Sequence, residues 1–200
     1  MHFLIFLVLI LILNPSCATT IDTFESNSLY IEGKVSNDIE VSFFDGSLLK
    51  PVRISDGRFR LAHDLSSGYY GVVFLTKKGF YPEAFLFKAE EKPAEMKVMP
   101  LQKIKDETKG VLTGVLYKSA TGGKIKEHNG IVQVFTNEPV TFLKDFFPYT
   151  VVTDENGIFK VHLSAGEYSI MMSGREIEKV TIEAGRTSIK NIRRGLRLID

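Results

Sequence analysis

The sequence predicts an all-β protein made of two antiparallel β-sandwich domains in tandem, after an N-terminal signal segment. The first observation is an internal repeat, in which the stretch from Ser55 to Leu61 recurs about a hundred residues later from Thr153 to Val161. The second is the alternation of apolar and polar residues between turn dipeptides such as Asp45-Gly46, which is typical of half-buried strands. The third is composition, because 15 Phe and 7 Tyr among 200 residues favour strands.

The first 17 residues indicate export. The segment from Phe3 to Leu13 is an unbroken apolar run that ends at Asn14-Pro15, and it is too short to cross about 30 Å of hydrocarbon as a helix. Cys17, the single cysteine, follows four residues later, in an arrangement that resembles a bacterial lipoprotein signal. That resemblance implies a lipid on Cys17 and an outer-membrane or cell-surface location. The alternative is ordinary cleavage after Ala18, with Ser16 as the other small residue.

Composition shifts set the expected domain boundaries. The Thr- and Ser-rich stretch after the cysteine predicts a flexible tether, and a Lys- and Glu-rich stretch predicts a short linker between the two halves. The predicted order is a signal segment over 1–17, a tether over 18–28, a first sandwich over 29–101, a linker over 102–110, a second sandwich over 111–194, and a C-terminal tail over 195–200.

The individual strands follow from apolar alternation between turn signals. In the first half they are expected around 29–35, 39–43, 59–61, 70–75, 84–87 and 96–98. In the second half they are expected around 111–117, 131–135, 158–163, 168–172, 177–182 and 188–192. About seven short strands with turns every eight to twelve residues predict an immunoglobulin-like sandwich.

The repeated residues have structural explanations. Gly57 and Gly157 can supply the positive φ that a tight turn requires, and the aspartates Asp56 and Asp154 can accept backbone hydrogen bonds there. The tyrosines that close the two copies, Tyr70 and Tyr168, are expected to bury their rings and bond their hydroxyls to the backbone. We therefore predict no metal at these turns, because a short loop offers too few converging oxygen ligands for calcium.

The repeat resembles the carboxypeptidase regulatory-like domains, whose fold is similar to that of transthyretin. The resemblance lies in a Thr/Ser-Asp turn with glycine and phenylalanine, followed by a Gly-x-Tyr step. The second copy carries it at Thr153, Asp154, Gly157, Phe159, Gly166 and Tyr168, and the first at Ser55, Asp56, Gly57, Phe59, Gly68 and Tyr70. It implies two transthyretin-like sandwiches. It says little about activity, because such domains are non-catalytic attachments in many secreted proteins.

The composition argues against several classes of function. A formal net charge of +1 supplies no global field for nucleic acid, so no nucleic-acid partner is expected. The histidines His63, His128 and His162 form no recognisable catalytic or metal-binding spacing. We therefore predict no catalytic residues, no metal and no cofactor.

The candidate contact surface is an aromatic segment in the second half. Residues 137–149 contain Phe142, Phe146, Phe147 and Tyr149, and the segment is expected to be an insertion that the first half lacks. Exposed aromatic clusters mark contact sites. The alternative is that the three phenylalanines fold inward and cover a sandwich edge.

The predicted function is a protein-binding or scaffolding module held at the envelope by its lipid, with carbohydrate or small-ligand binding as the alternative. The basic, apolar C-terminal tail is a second, weaker contact candidate.

Overall fold

The computed structural model describes residues 30–89, 94–96, 98, 100–119 and 129–194. Every regular element in these ranges is a β-strand, which confirms the all-β prediction. The signal segment with Cys17, the tether and the C-terminal tail lie outside the described residues. The strands of the first half are β1 (Tyr30–Lys34), β2 (Glu40–Phe44), β3 (Leu49–Val52), β4 (Ile54–Ser55), β5 (Arg58–Ala62), β6 (Tyr70–Thr76), β7 (Glu83–Lys88) and β8 (Ala94–Met96). Those of the second half are β9 (Lys109–Ser119), β10 (Ile131–Val134), β11 (Pro139–Lys144), β12 (Phe147–Val152), β13 (Ile158–Ser164), β14 (Gly166–Met172), β15 (Arg175–Ile182), β16 (Thr187–Ile189) and β17 (Ile192–Arg193).

The strands of the first half form two layers around an apolar core. One layer has the order β4-β5-β1-β8, in which β8 runs parallel to β1. In the other layer β6 lies between β2 and β7, and β3 pairs with β2. The core between the layers contains Ile31, Val41, Phe43, Phe59 and Val73. Alternate residues of each strand fill it, as a period of two requires.

The second half repeats this pairing scheme. β9 pairs antiparallel with β13 and parallel with β16, as β1 does with β5 and β8. The order β12-β11-β14-β15 matches β3-β2-β6-β7. Its core contains Leu112, Phe142, Phe159, Tyr168 and Ile170. Two strands, β10 and β17, pair with β9 and have no equivalent among the described strands of the first half.

The two halves pack face to face, so that the sheets stack in four layers. A third apolar cluster lies between β2 and β6 on one side and β9 and β10 on the other, with Phe44, Val72, Phe74, Val115, Tyr117 and Ile131 as its buried members. The rings of Phe44 and Tyr117 meet edge to face with centroids 5.1 Å apart. β10 joins the two middle layers through a single pair, between Ile131 and Tyr70 at the beginning of β6. As a result, β6 and β9 are apolar and buried on both faces, as are the central strands of parallel sheets covered by helices.

The predicted linker also packs against the sheets. Ile104 is 2% exposed and its amide donates to the carbonyl of Gly79 in the β6–β7 turn. The amide of Gly79 donates in turn to the carbonyl of Gly185 in the second half. An ion pair between Lys160 and Glu83, 3.5 Å apart, lies at the rim of the contact between the halves.

The repeated turn has the same backbone bond in both copies. The amide of Val35 donates to the carbonyl of Gly57 at 2.8 Å, and the amide of Leu116 donates to that of Gly157 at 2.9 Å. Both glycines have positive φ, 68° and 70°. In the second copy Asp154 accepts backbone hydrogen bonds from the amides of two later residues in the turn. In the first copy the aspartate is itself a turn residue with positive φ.

Strand directions divide the stack into two ends. β1 begins at Tyr30 at one end, and the last described residue, Arg194, lies at the same end, where its amide donates to the carbonyl of Tyr117. We call this the terminal end. The turn between β11 and β12 lies at the opposite end, beside Gly166 and Lys109, which we call the tip end. β9 spans most of the distance, about 36 Å at roughly 3.3 Å per residue over its 11 residues.

Candidate functional site

The aromatic segment forms a β-hairpin, which we call the aromatic hairpin: β11, a two-residue turn and β12, residues 139–152. Phe142 is fully buried in the core of the second half. It is therefore corrected from a contact residue to a core residue. Phe146, Phe147 and Tyr149 are 95%, 69% and 41% exposed. The inward-folding alternative thus describes Phe142 and neither of the other two phenylalanines.

The pairing register explains this division. Phe142 lies opposite Tyr149, and Lys144 lies opposite Phe147, so all four side chains are on the core-facing side of the hairpin. Phe142 reaches the middle of the sandwich and is covered by the ring of Phe159, 5.7 Å away between centroids. Phe147 has the same orientation but lies beyond the end of the core, and it therefore remains exposed.

The turn at the tip has an unusual residue. Asp145 and Phe146 have φ of 50° and 66°, which places both in the left-handed region, where a bulky side chain is costly. Two other two-residue hairpin turns in the described chain have the same backbone form, Asp56-Gly57 and Ser173-Gly174, and both have glycine at the second position. Phe146 thus occupies a position that glycine would fill with less strain, and its ring is almost completely exposed.

The base of the hairpin is braced. The Lys144 ammonium donates to the carbonyl of Ala165 at 2.7 Å and lies 5.4 Å from the centroid of the Tyr168 ring. The Tyr149 ring meets the Tyr168 ring edge to face. The hydroxyl of Tyr168 donates to the carbonyl of Ser164 at 3.0 Å, as the sequence predicted. Burial raises the pKa of this hydroxyl, and the nearby Tyr149 adds to the increase. The tip therefore projects from a rigid base.

The hairpin is not an insertion, contrary to the sequence-based expectation. Its counterpart in the first half is the β2–β3 hairpin, whose turn begins at Asp45. Burial would raise the pKa of Asp45, but the amide of Leu48, the Lys50 ammonium and Ser47 hold it below its usual value. A Cβ on Gly46 in this turn would meet the backbone of Gly130 at 2.8 Å. The start of the first copy's turn is therefore covered by the second half, although Leu48 and Leu49 at its other end are exposed. The aromatic tip is covered by nothing in the described chain.

Two clefts lie elsewhere on the surface. One, of about 500 Å³ at the terminal end, is lined by a mixture of aliphatic, methionine and polar residues, with the Arg194–Glu138 ion pair at its rim. The other, of about 430 Å³, contains one aromatic ring, Phe80, beside Lys34 and Lys77. Neither combines several aromatic rings with side-chain amides, which is the composition expected for a sugar-binding face.

Within the described ranges, no group of three or more His, Cys, Asp or Glu side chains could hold a metal ion. In the same ranges, no helix has the length and apolar character needed to cross a membrane. The predicted lipidation site, Cys17, lies outside them. The described surface therefore offers the aromatic hairpin as its most distinctive feature.

Fold and surface together define an all-β protein of stacked, mainly antiparallel sheets with an exposed aromatic hairpin. No protein-family model and no curated protein matches the chain. Among solved structures it is similar to the TIE protein of Bacillus anthracis, at 18% identity and a TM-score of 0.27, over 84% of this chain and 33% of that one. It is also similar to the minor pilin GBS52 of Streptococcus agalactiae, at 12% identity and a TM-score of 0.27, over 83% and 95% of the two chains. A third is BcpA, the major pilin subunit of Bacillus cereus, at 11% identity and a TM-score of 0.28, over 81% and 57%. The chain thus spans a third of the first of these proteins.

Proposed function

We propose that this chain is an exported, non-catalytic lipoprotein of two carboxypeptidase regulatory-like domains, anchored at Cys17 on the outer membrane or cell surface. It binds a protein partner through the aromatic hairpin. The observation that carries the proposal is Phe146, which is 95% exposed in a strained turn, whereas the two other turns of this form in the described residues have glycine at that position. Strain that is retained at an exposed aromatic residue is characteristic of a contact site.

The distribution of exposed apolar residues supports the same surface. Of the eight large hydrophobic residues that are exposed in the described ranges, three lie together at or next to the turn of the aromatic hairpin: Phe146, Phe147 and Tyr149. Such clustering differs from the isolated apolar residues that most monomer surfaces carry. The Tyr149 ring packs edge to face against the Tyr168 ring, so this part of the surface is already fixed, which lowers the entropy that binding would cost.

The two ends of the stack give the anchor and the hairpin separate roles. Twelve residues separate Cys17 from Tyr30, where the described chain begins at the terminal end. A flexible tether of that length has a root-mean-square span of about 20 Å. A lipid on Cys17 would therefore hold the terminal end near the membrane, and the aromatic tip would point away from it.

Capture of partners from the native envelope tests the binding role. The wild-type chain is compared with a Phe146→Gly/Phe147→Ser double variant and with Ile177→Ser, which removes an exposed apolar residue from the other edge of the same sheet. We expect the wild type and Ile177→Ser each to capture an envelope protein in a stoichiometric amount. The double variant should capture at least tenfold less of that protein. Equal capture by all three chains would refute binding through the hairpin.

Carbohydrate binding is the second candidate, because exposed rings such as Tyr149 can stack on sugars. It predicts that envelope glycans are retained without a protein and that Phe147→Ser abolishes the retention.

The lipid anchor has its own test. Cys17→Ser should move the chain from the membrane fraction to the soluble fraction, and an unchanged membrane fraction would refute lipidation.

A further inference from the structure

The outer edge of β12 has no strand beside it in the described part of the chain, since β12 ends the order β12-β11-β14-β15. We propose that this edge pairs, antiparallel, with the same edge of a second copy of this chain anchored to an opposing surface. The proposal deepens the proposed function and rests on it, because it names the partner of the aromatic hairpin and uses the anchor at Cys17.

The register of the hairpin determines which backbone groups face outward. In a two-residue hairpin the residues that close the turn, here Lys144 and Phe147, exchange hydrogen bonds with each other, and the pairs then alternate. Pro148, Thr150 and Val152 therefore direct their backbone groups away from β11. Their partners on β11 direct theirs toward β14. The bond from the amide of Thr153 to the carbonyl of Glu138, just beyond the two strands, continues the same alternation.

The outward backbone donors and acceptors of one β12 edge match those of a second, antiparallel β12 edge. With Thr150 opposite Thr150 of the second copy, each threonine amide donates to the other's carbonyl. Val152 then lies opposite Pro148 of the second copy, and its amide donates to the proline carbonyl. Proline has no amide hydrogen to donate, so each Val152–Pro148 pair contributes one bond. Four bonds form in all, and all three pairs lie within the two strands.

The side chains favour a second copy over a charged partner. β12 has no charged residue, and its exposed residues include Phe147, Tyr149 and Val152. The opposite edge of the same sheet, β15, carries Arg175, Glu176, Glu178 and Lys179. The equivalent edge of the first half, β3, is four residues long and contains Lys50 and Pro51. Charges, proline and short length are the devices that keep edge strands from pairing, and only the proline is present in β12.

Antiparallel pairing reverses the second copy from end to end. The terminal end of one copy then lies beside the tip end of the other, so the two lipid anchors emerge on opposite sides of the pair. Two copies on one membrane cannot adopt this arrangement without one of them being inverted. The pairing therefore joins copies that are anchored on facing surfaces. Each β12 edge binds the identical, uncharged β12 edge of the other copy.

Vesicle clustering tests the proposal with the anchor in its natural place. The chain from Cys17 to Asp200 contains every described residue and a single thiol, so it can be coupled through Cys17 to vesicles that carry maleimide lipids. Light scattering reports clustering, and sedimentation equilibrium of the uncoupled chain reports dimers. Thr150→Lys and Thr150→Glu each place like charges across the dimer axis, and Thr181→Lys places the same charge on β15 as a matched control.

We expect wild-type and Thr181→Lys vesicles to cluster, and at least tenfold weaker clustering with Thr150→Lys or Thr150→Glu alone. Mixing Thr150→Lys vesicles with Thr150→Glu vesicles should restore clustering, which also shows that both variants are folded. Wild-type vesicles that do not cluster, or Thr150→Lys vesicles that cluster as well as wild type, would overturn the pairing. A chain that fails here and still captures a different envelope protein leaves the proposed function standing.

Discussion

Replacing Phe146 with glycine should stabilise the protein. Phe146 has φ of 66°, and a non-glycine residue in this region costs roughly 1–2 kcal/mol. Its ring is 95% exposed, so removal sacrifices almost no buried apolar area. Glycine has more conformational freedom in the unfolded chain, and this lowers the stability of the variant by about 0.5–1 kcal/mol. The net expectation is about 0.5–1 kcal/mol of added stability, which corresponds to an increase in Tm of about 1–4 °C for a chain of this size.

Urea unfolding followed by circular dichroism measures this change, and the chain offers a reciprocal control. Gly174 holds the same turn position between β14 and β15, with φ of 76°, and a Cβ there would meet no atom within 4 Å. Gly174→Ala should therefore lose about 0.5–1 kcal/mol, because the same two conformational terms apply with the opposite sign. A loss of more than 1 kcal/mol in Phe146→Gly would show that the ring packs within its own chain, and the argument for a strained, exposed contact residue would fail.

Three further predictions concern the stack. Gly114→Ala should lose at least about 2 kcal/mol in urea unfolding, because a Cβ there would lie 1.9 Å from the carbonyl oxygen of Lys190; a neutral effect would contradict the close approach of that segment to β9. Phe74→Ala should lose about 3–5 kcal/mol, because Phe74 is fully buried between the two halves, and a loss below 1 kcal/mol would argue against the face-to-face packing. Burial lowers the pKa of His63 below its usual 6.5, against an opposing effect of Asp64. The contribution of neutral His63 to the stability of the fold is therefore complete above pH 6.5, and it is lost as the pH falls through the lowered pKa of the folded state. The stability lost between pH 7 and pH 5 should then be smaller in His63→Gln, and an equal loss in both chains would exclude His63 as the cause.

The local parts of the fold could be predicted from the sequence. The internal repeat indicated two similar units, and the pairing schemes of β1 and β9 agree with it. The positive φ of Gly57 and Gly157 follows from the turn chemistry of an Asp-x-x-Gly or Asp-Gly sequence. The hydroxyl bond of Tyr168 follows from the rule that a buried tyrosine finds a backbone acceptor. Each of these depends on residues that are close in the sequence.

The stacking of the two halves depends on distant residues and was missed. Its signal was present, since 72–75 and 111–117 are nearly continuous apolar runs, and such runs indicate strands buried on both faces. The aromatic hairpin is the equivalent of the β2–β3 hairpin, since β11 and β12 pair as β2 and β3 do. Phe146 stands where a glycine is expected in the turn, and the sequence therefore does not reveal this equivalence. The burial of Phe142 depends on the register across that turn, and the turn type was the missing information.

The position of the aromatic tip at the end opposite Tyr30 has a mechanical consequence. A pulling force between the tip and Tyr30 is directed along the strand axes, so the backbone bonds between neighbouring strands are loaded in shear and resist together. A force across the strands would instead break those bonds one pair at a time. Resistance to forced unfolding is governed by the unfolding rate. A force applied between the two ends of the stack therefore meets shear, in which the protein should unfold more slowly than when the strands are separated one pair at a time.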